Sequence, residues 1–241
     1  QTPRYETCVT PATGTVDVGI EGENYSAIGQ RNEDVRDGEP EGVYIPSGAK
    51  TEFICTSEVA EVFVAGAKYD KVLDPFAVRT NDIDMVQYGS DDTKTHRKIK
   101  HILGTKYNDK VGRLLVSELF TVGAGGWSGF PSHKHDTERL PDETLHNEVY
   151  NFRFNPDHGF GMQLLQPDGD AVGQAFHLID GSTFAFNAGY HPCVAAPGYE
   201  MYYFTILGGL NQRSLIQSFQ PEHAYQVETI PGIKDMIAKF K

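Results

Sequence analysis

The stretch Gly129-Phe130-Pro131-Ser132-His133-Lys134-His135-Asp136, with Leu145-His146-Asn147-Glu148-Val149-Tyr150 and Gly189-Tyr190-His191-Pro192 further on, decides how this chain is read. Successive side chains on a β-strand point to opposite faces, so the imidazoles of His133 and His135 fall on one side, close enough to grip one ion. Glu148 opens the next apolar run, and His191 sits just before another. A sheet curled on itself would bring three imidazoles and one carboxylate to a single divalent cation and leave positions free for substrate.

Outward from this stretch, short apolar or aromatic runs separated by Gly, Pro, Asn and Asp recur along the chain, while helical period is scarce. Strands are expected over 42–45, 51–55, 60–65, 113–120, 148–154, 161–165, 174–178, 182–186 and 201–206. That spacing predicts an all-β sandwich or barrel. One short helix is expected at 233–240, where Ile233, Met236, Ile237 and Phe240 fall at helical intervals as a packing face. A polar stretch, 81–100, divides the chain. Val43-Tyr44-Ile45-Pro46-Ser47-Gly48 before it and Phe184-Ala185-Phe186-Asn187-Ala188-Gly189-Tyr190-His191 after it are both strands ending in a small-residue turn. They imply a weak internal repeat of two β-sandwich units, 1–100 and 101–241. Ala49-Lys50 stands in the first where Tyr190-His191 stands in the second, so only the second is expected to bind metal.

Each candidate ligand also has a plainer reading. A His-x-His pair arises readily by chance among nine histidines. Glu148 alone could be a buried salt bridge or an edge residue, and His191 a hydrogen-bonded turn histidine. Against this, alternation puts Glu148 on the same face as Tyr150, Phe152 and Phe154, where a carboxylate is costly unless something positive meets it. Glu138 and Glu143 are rivals for the carboxylate, and His146 could join the site or face solvent. His101, His158, His177 and His223 read as surface or packing residues. Asp136, Glu138, Asp142 and Glu143 read as a solvated loop that could serve as a lid. With no thiolate and one carboxylate, Zn, Mn, Fe and Ni all suit the set.

Composition bounds the rest. Hydrophobic residues make up 39% of 241 and charged residues 22%, enough for a soluble chain with a real core. The formal net charge of −12 disfavours nucleic-acid backbones and anionic membranes as partners. No apolar run approaches the roughly 20 residues of a membrane span. Cys8, Cys55 and Cys193 are scattered, with no C-x-x-C pair, which argues against a disulfide framework. Gln1-Thr2-Pro3-Arg4-Tyr5 lacks the basic and apolar regions of a signal peptide, so a cytoplasmic protein is expected.

The His-x-His, Glu and His series resembles the metal motifs of the cupin superfamily, whose fold is an antiparallel jelly roll. More narrowly, the run Gly126 to Asp136, Glu148-Val149-Tyr150, Arg153-Phe154-Asn155-Pro156, Gly159-Phe160-Gly161, Gly189-Tyr190-His191-Pro192 and Ala195-Ala196-Pro197-Gly198-Tyr199 are similar to the 5-deoxy-glucuronate isomerase family of myo-inositol catabolism. The resemblance implies two cupin-type jelly-roll units with a short C-terminal helix, and conversion of the aldose acid 5-deoxy-glucuronate to the ketose acid 5-dehydro-2-deoxy-gluconate. It implies His133, His135, Glu148 and His191 as ligands of one divalent transition metal.

Such an isomerisation needs its developing oxyanion stabilised. Tyr150 shares the Glu148 face and is a candidate acid or hydrogen-bond donor, although an aromatic core role fits it equally. Gln163 and Tyr203 lie on strands expected to line the same barrel and could bind sugar hydroxyls. Lys134 and Arg153 suit a carboxylate chemically, but alternation turns both away from the metal face. The alternatives are a related uronate ketol-isomerase, a cupin dioxygenase and a non-enzymatic sugar-binding cupin. A small sugar acid is the expected partner, and a homo-oligomer is compatible with the sequence.

Overall fold

A computed structural model describes residues 4–240, so the first three residues read for a leader lie outside it. The chain divides into two compact units, one running to Asp84 and including Lys100–Val116, the other Met85–Ile99 with the chain from Ser117 onward. This differs from the division expected at residue 100. The polar stretch is not a linker: it carries the strand Asp84–Tyr88 and the start of the strand Arg97–Leu103. Those two strands are hydrogen-bonded neighbours at one edge of a six-stranded sheet, so backbone pairing overrides their polar composition.

In the first unit a four-stranded sheet runs in the order Glu61–Lys68, Tyr5–Thr13, Gly42–Ile45, Phe76–Val78, and a three-stranded sheet in the order Glu23–Ile28, Val16–Ile20, Thr51–Cys55. Alternation explains how they meet. Val16, Val18 and Ile20 are buried while Asp17 and Gly19 are only partly so, and the buried three share one core with Val9, Val43 and Ile45 of the other sheet. The Tyr5–Thr13 strand escaped the sequence reading because it contains Pro11, which marks an edge or a bulge. The register does slip there, between Pro11 and Thr13.

The six-stranded sheet has the order Thr183–Phe186, His146–Asn155, Glu200–Gly209, Leu114–Thr121, Arg97–Leu103, Asp84–Tyr88. A four-stranded sheet has the order Gly126–Ser128, Cys193–Ala195, Phe160–Leu165, Gln174–Ile179, and His133–Lys134 pairs with Ser218–Phe219. The main sheets face each other: the Tyr203 hydroxyl meets Ser128 Oγ at 2.6 Å, and the rings of Phe176 and Phe184 lie 4.8 Å apart. The helix is Ile233–Ala238, with Ile233 and Met236 buried and Phe240 buried just beyond it. Both units are therefore the antiparallel two-layer β-structures that the jelly-roll expectation called for.

Gly161 shows how tightly the layers close. A methyl group there would lie 2.5 Å from the Val194 carbonyl oxygen and 3.2 Å from the Phe154 ring. Gly161→Ala is expected to destabilise the second unit by about 1–3 kcal/mol, the usual cost of overpacking, measured by urea unfolding followed through Trp127 fluorescence.

Candidate metal centre

The four residues come together from separate elements. His133 and His135 flank Lys134 on the short strand, Glu148 lies near the start of the His146–Asn155 strand, and His191 sits in the turn before Cys193–Ala195. On the Glu148 strand, positions 146, 148, 150, 152 and 154 are buried, as the alternation required. One ring nitrogen each from His133, His135 and His191 lies within 4.8 Å of the others, the one such grouping among the described residues. Glu148 Oε2 is 3.1 Å from His135 Nε2 and 3.2 Å from His191 Nε2. All four are at most 6% exposed.

Each imidazole is aimed by its other nitrogen. Nδ1 of His133 lies 3.2 Å from the Pro131 carbonyl, that of His135 3.1 Å from the His146 carbonyl, and that of His191 2.8 Å from the Gly189 carbonyl. A carbonyl only accepts, so each Nδ1 carries a proton, and in its neutral form each ring turns its Nε2 lone pair inward. His191 Nε2 is buried and out of line for a hydrogen bond to Glu148. A lone pair facing a carboxylate oxygen is repulsive unless a proton or a cation lies between them. The donor set therefore fits a divalent cation: inward nitrogens, one buried negative charge and no other partner for His191 Nε2.

The local electrostatics agree. Burial, and then the neighbouring His191 and His135 rings, push the His133 pKa down to about 3. Burial opposes protonation of His135, yet the hydrogen bond and charge of Glu148 outweigh it and its pKa is raised. Burial would likewise raise the Glu148 carboxyl, but the adjoining His135 and His191 imidazoles hold it well below the usual carboxylate range. Thr205 Oγ1 donates to Glu148 Oε1 at 3.2 Å and fixes its second oxygen. The sequence reading passed over Thr205, although it shares the inner face of its strand with Tyr203 and Leu207.

A cavity opens from this point, lined by His133, His135, Glu148, Tyr150, Tyr203 and Thr205 and, from the C-terminal segment, by Leu215, Gln217, Phe219, Met236 and Phe240. Tyr150 and Tyr203 pack with ring centroids 4.4 Å apart. Burial, and then the charge of Glu148, raise the Tyr150 pKa well above that of an ordinary phenol; burial does the same for Tyr203. Both are neutral hydroxyls. Gln163 stands apart from this lining. Its side-chain amide donates to the carbonyls of His191 at 2.8 Å, Pro192 at 3.1 Å and Leu164 at 3.0 Å, clamping the turn that carries His191.

Behind the paired histidines the acidic loop proves more than solvated. Lys134 Nζ, turned away from the cavity as alternation predicts, donates to Asp136 Oδ1 at 2.7 Å and to both Glu143 oxygens at 3.1 Å. Glu143 has no exposed surface and also accepts the Asp136 and Thr137 amides, so it is spoken for on the opposite face from the ligands. Glu138 accepts the Leu145 amide. Asp136 Oδ2 accepts the Gly189 amide at 2.7 Å, and the Gly189 carbonyl is the one that holds His191 Nδ1. His146 Nε2 meets the Arg213 carbonyl at 3.1 Å, which turns that nitrogen away from the cation position.

Comparison with known proteins follows the same lines. The chain is 29% identical over 224 residues to the 5-deoxy-glucuronate isomerase of Geobacillus thermodenitrificans, covering 93% of this chain and 79% of that one. It is 31% identical over 206 residues to the 5-deoxy-glucuronate isomerase of Shouchella clausii, covering 85% and 74%. An IolB-like protein from Salmonella typhimurium superposes with a TM-score of 0.84 at 25% identity, over 93% of this chain and 82% of that one. An oxalate decarboxylase from Bacillus subtilis shares the fold alone, with a TM-score of 0.60 at 12% identity, over 100% of this chain and 74% of that one. The KduI/IolB family model matches residues 1–226, nearly the whole chain, and the protein therefore belongs to the KduI/IolB family.

Proposed function

We propose that this protein is a metal-dependent aldose–ketose isomerase that converts 5-deoxy-D-glucuronate to 5-dehydro-2-deoxy-D-gluconate in the cytoplasmic catabolism of myo-inositol. The observation that carries the reading is the convergence of three inward imidazole nitrogens and the Glu148 carboxylate on one buried point at the head of a cavity. The relatives named 5-deoxy-glucuronate isomerase supply the substrate. His133, His135, Glu148 and His191 would hold the cation, for which Zn, Mn, Fe and Ni are all chemically suited. Once bound, a divalent ion polarises the substrate carbonyl and offsets the negative charge that develops on oxygen.

The chain's own groups do the rest. Tyr150 is kept neutral by burial and by the Glu148 charge, so its hydroxyl serves as a proton-bearing donor to a substrate oxygen. Tyr203, held by Ser128, forms the wall that keeps Tyr150 in place and presents a second hydroxyl to the cavity. The Leu207, Leu215 and Phe219 side of the lining excludes water, which strengthens each polar contact inside. Gln163 acts at one remove, by fixing the His191 turn.

Metal-loaded protein incubated with 5-deoxy-glucuronate in deuterated water is expected to give the ketose acid by NMR. Chelation should stop turnover, and an added divalent ion should restore it. Absence of conversion by the metal-replete protein rules the assignment out. Glu148→Gln is expected to lower metal affinity and kcat together, by at least about 100-fold, because it removes a ligand rather than an outer partner. Tyr150→Phe should retain the metal and lose roughly 100-fold in kcat, the scale of one donor at a developing oxyanion. Asp136→Ala should weaken metal binding about tenfold by releasing the Gly189 turn, measured by cobalt titration.

A further inference from the structure

Gln217 is a residue of the metal cavity to which no sequence motif points. Its side-chain nitrogen lies 2.9 Å from His133 Nε2. Because the His133 Nδ1 proton is given to the Pro131 carbonyl, Nε2 offers its single lone pair, and the Gln217 amide donates into it. The other end of the amide, Oε1, is buried and has no hydrogen-bond partner. A buried acceptor left unpaired at the wall of a cavity is the mark of a group that awaits a ligand.

The same His133 lone pair is one of the three that face the cation position. An amide proton and a cation cannot both occupy it. When a cation takes it, the Gln217 nitrogen is released inside the cavity beside an oxygen that already lacks a partner. The backbone does not follow, since it is tied on both sides. Ile216 donates to Thr144 Oγ1 at 2.8 Å and accepts the Thr144 amide at 3.1 Å, while Ser218 and Phe219 pair with Lys134 and His133. Only the side chain is left to turn.

We propose that Gln217 is a substrate-binding residue, whose carboxamide leaves His133 on metal loading and pairs with a hydroxyl of the bound sugar acid. A carboxamide both donates and accepts, as a hydroxyl does, whereas a carboxylate only accepts; the group recognised is therefore a hydroxyl of the polyol chain. The inference rests on the isomerase reading above.

The test compares metal-loaded wild type with Gln217→Met, which keeps the length of the side chain and removes both polar atoms. Cobalt affinity of the variant should equal or exceed that of wild type, because a competitor for His133 is gone. Its kcat/KM for 5-deoxy-glucuronate should fall about tenfold or more, the scale of one or two lost hydrogen bonds. Among analogues that each lack one hydroxyl, one should be turned over equally by both proteins, a pattern that a merely structural role would not produce. Gln217→Leu, which likewise removes both polar atoms, serves where the Met variant does not fold, and it should show the same convergence on that analogue. Unchanged kcat/KM in the variant, a tenfold loss of cobalt affinity, or equal penalties on every analogue overturns the proposal while leaving the isomerase reading intact. Failure of wild type itself to convert 5-deoxy-glucuronate takes both down together.

Discussion

Three backbone carbonyls govern this site. By taking the Nδ1 protons of His133, His135 and His191, the carbonyls of Pro131, His146 and Gly189 turn three Nε2 lone pairs toward one point. Without these bonds nothing would hold the proton of each neutral ring on Nδ1, and the three rings would have no common direction. The strands therefore set tautomers as well as positions. The outer contacts, Gln163 on the His191 carbonyl and Asp136 on the Gly189 amide, hold the third of those segments, the turn from Gly189 to His191, still.

Buried charge is divided between two faces of the same short strand. On one face His133 and His135 look toward Glu148; on the other Lys134 is enclosed by Asp136 and Glu143. Each buried acid has its own partner, so neither draws on the other's. A cation offered to the inner face competes with no lysine, and the one nearby ammonium is already saturated. In a chain of net charge −12, this sequestration keeps the one buried carboxylate of the inner face from being neutralised by a lysine.

Much of this was legible in the sequence because β-structure writes its faces in period two. The alternation from His146 to Phe154 placed Glu148 among buried aromatics, and His133-Lys134-His135 put the two imidazoles on one side and the lysine on the other. Parity put Tyr150 on the Glu148 face, and Tyr203 was expected from its strand alone; both line the cavity, but neither argument gives distance along a strand. That is why Gln163, inward-facing and buried, turns out to serve a turn rather than the cavity. The division of the chain differs from the expected one for another reason: strands 84–88 and 97–103 pair with neighbours in a six-stranded sheet, and their polar composition hides that. Gln217 left no local signal, since it lies outside any motif and meets His133 only because Ser218–Phe219 pairs with His133–Lys134.

The order in which the cavity's parts occur along the chain has a consequence for how the protein matures. His133, His135, Glu148 and His191 have all been synthesised once His191 is made, whereas Leu215, Gln217, Phe219, Met236 and Phe240, which complete the cavity lining, come later. A polypeptide emerging from the ribosome thus owns its chelating groups before it owns the cover over them. Were a cation to bind there during synthesis, it would meet its donors before the segments that enclose them.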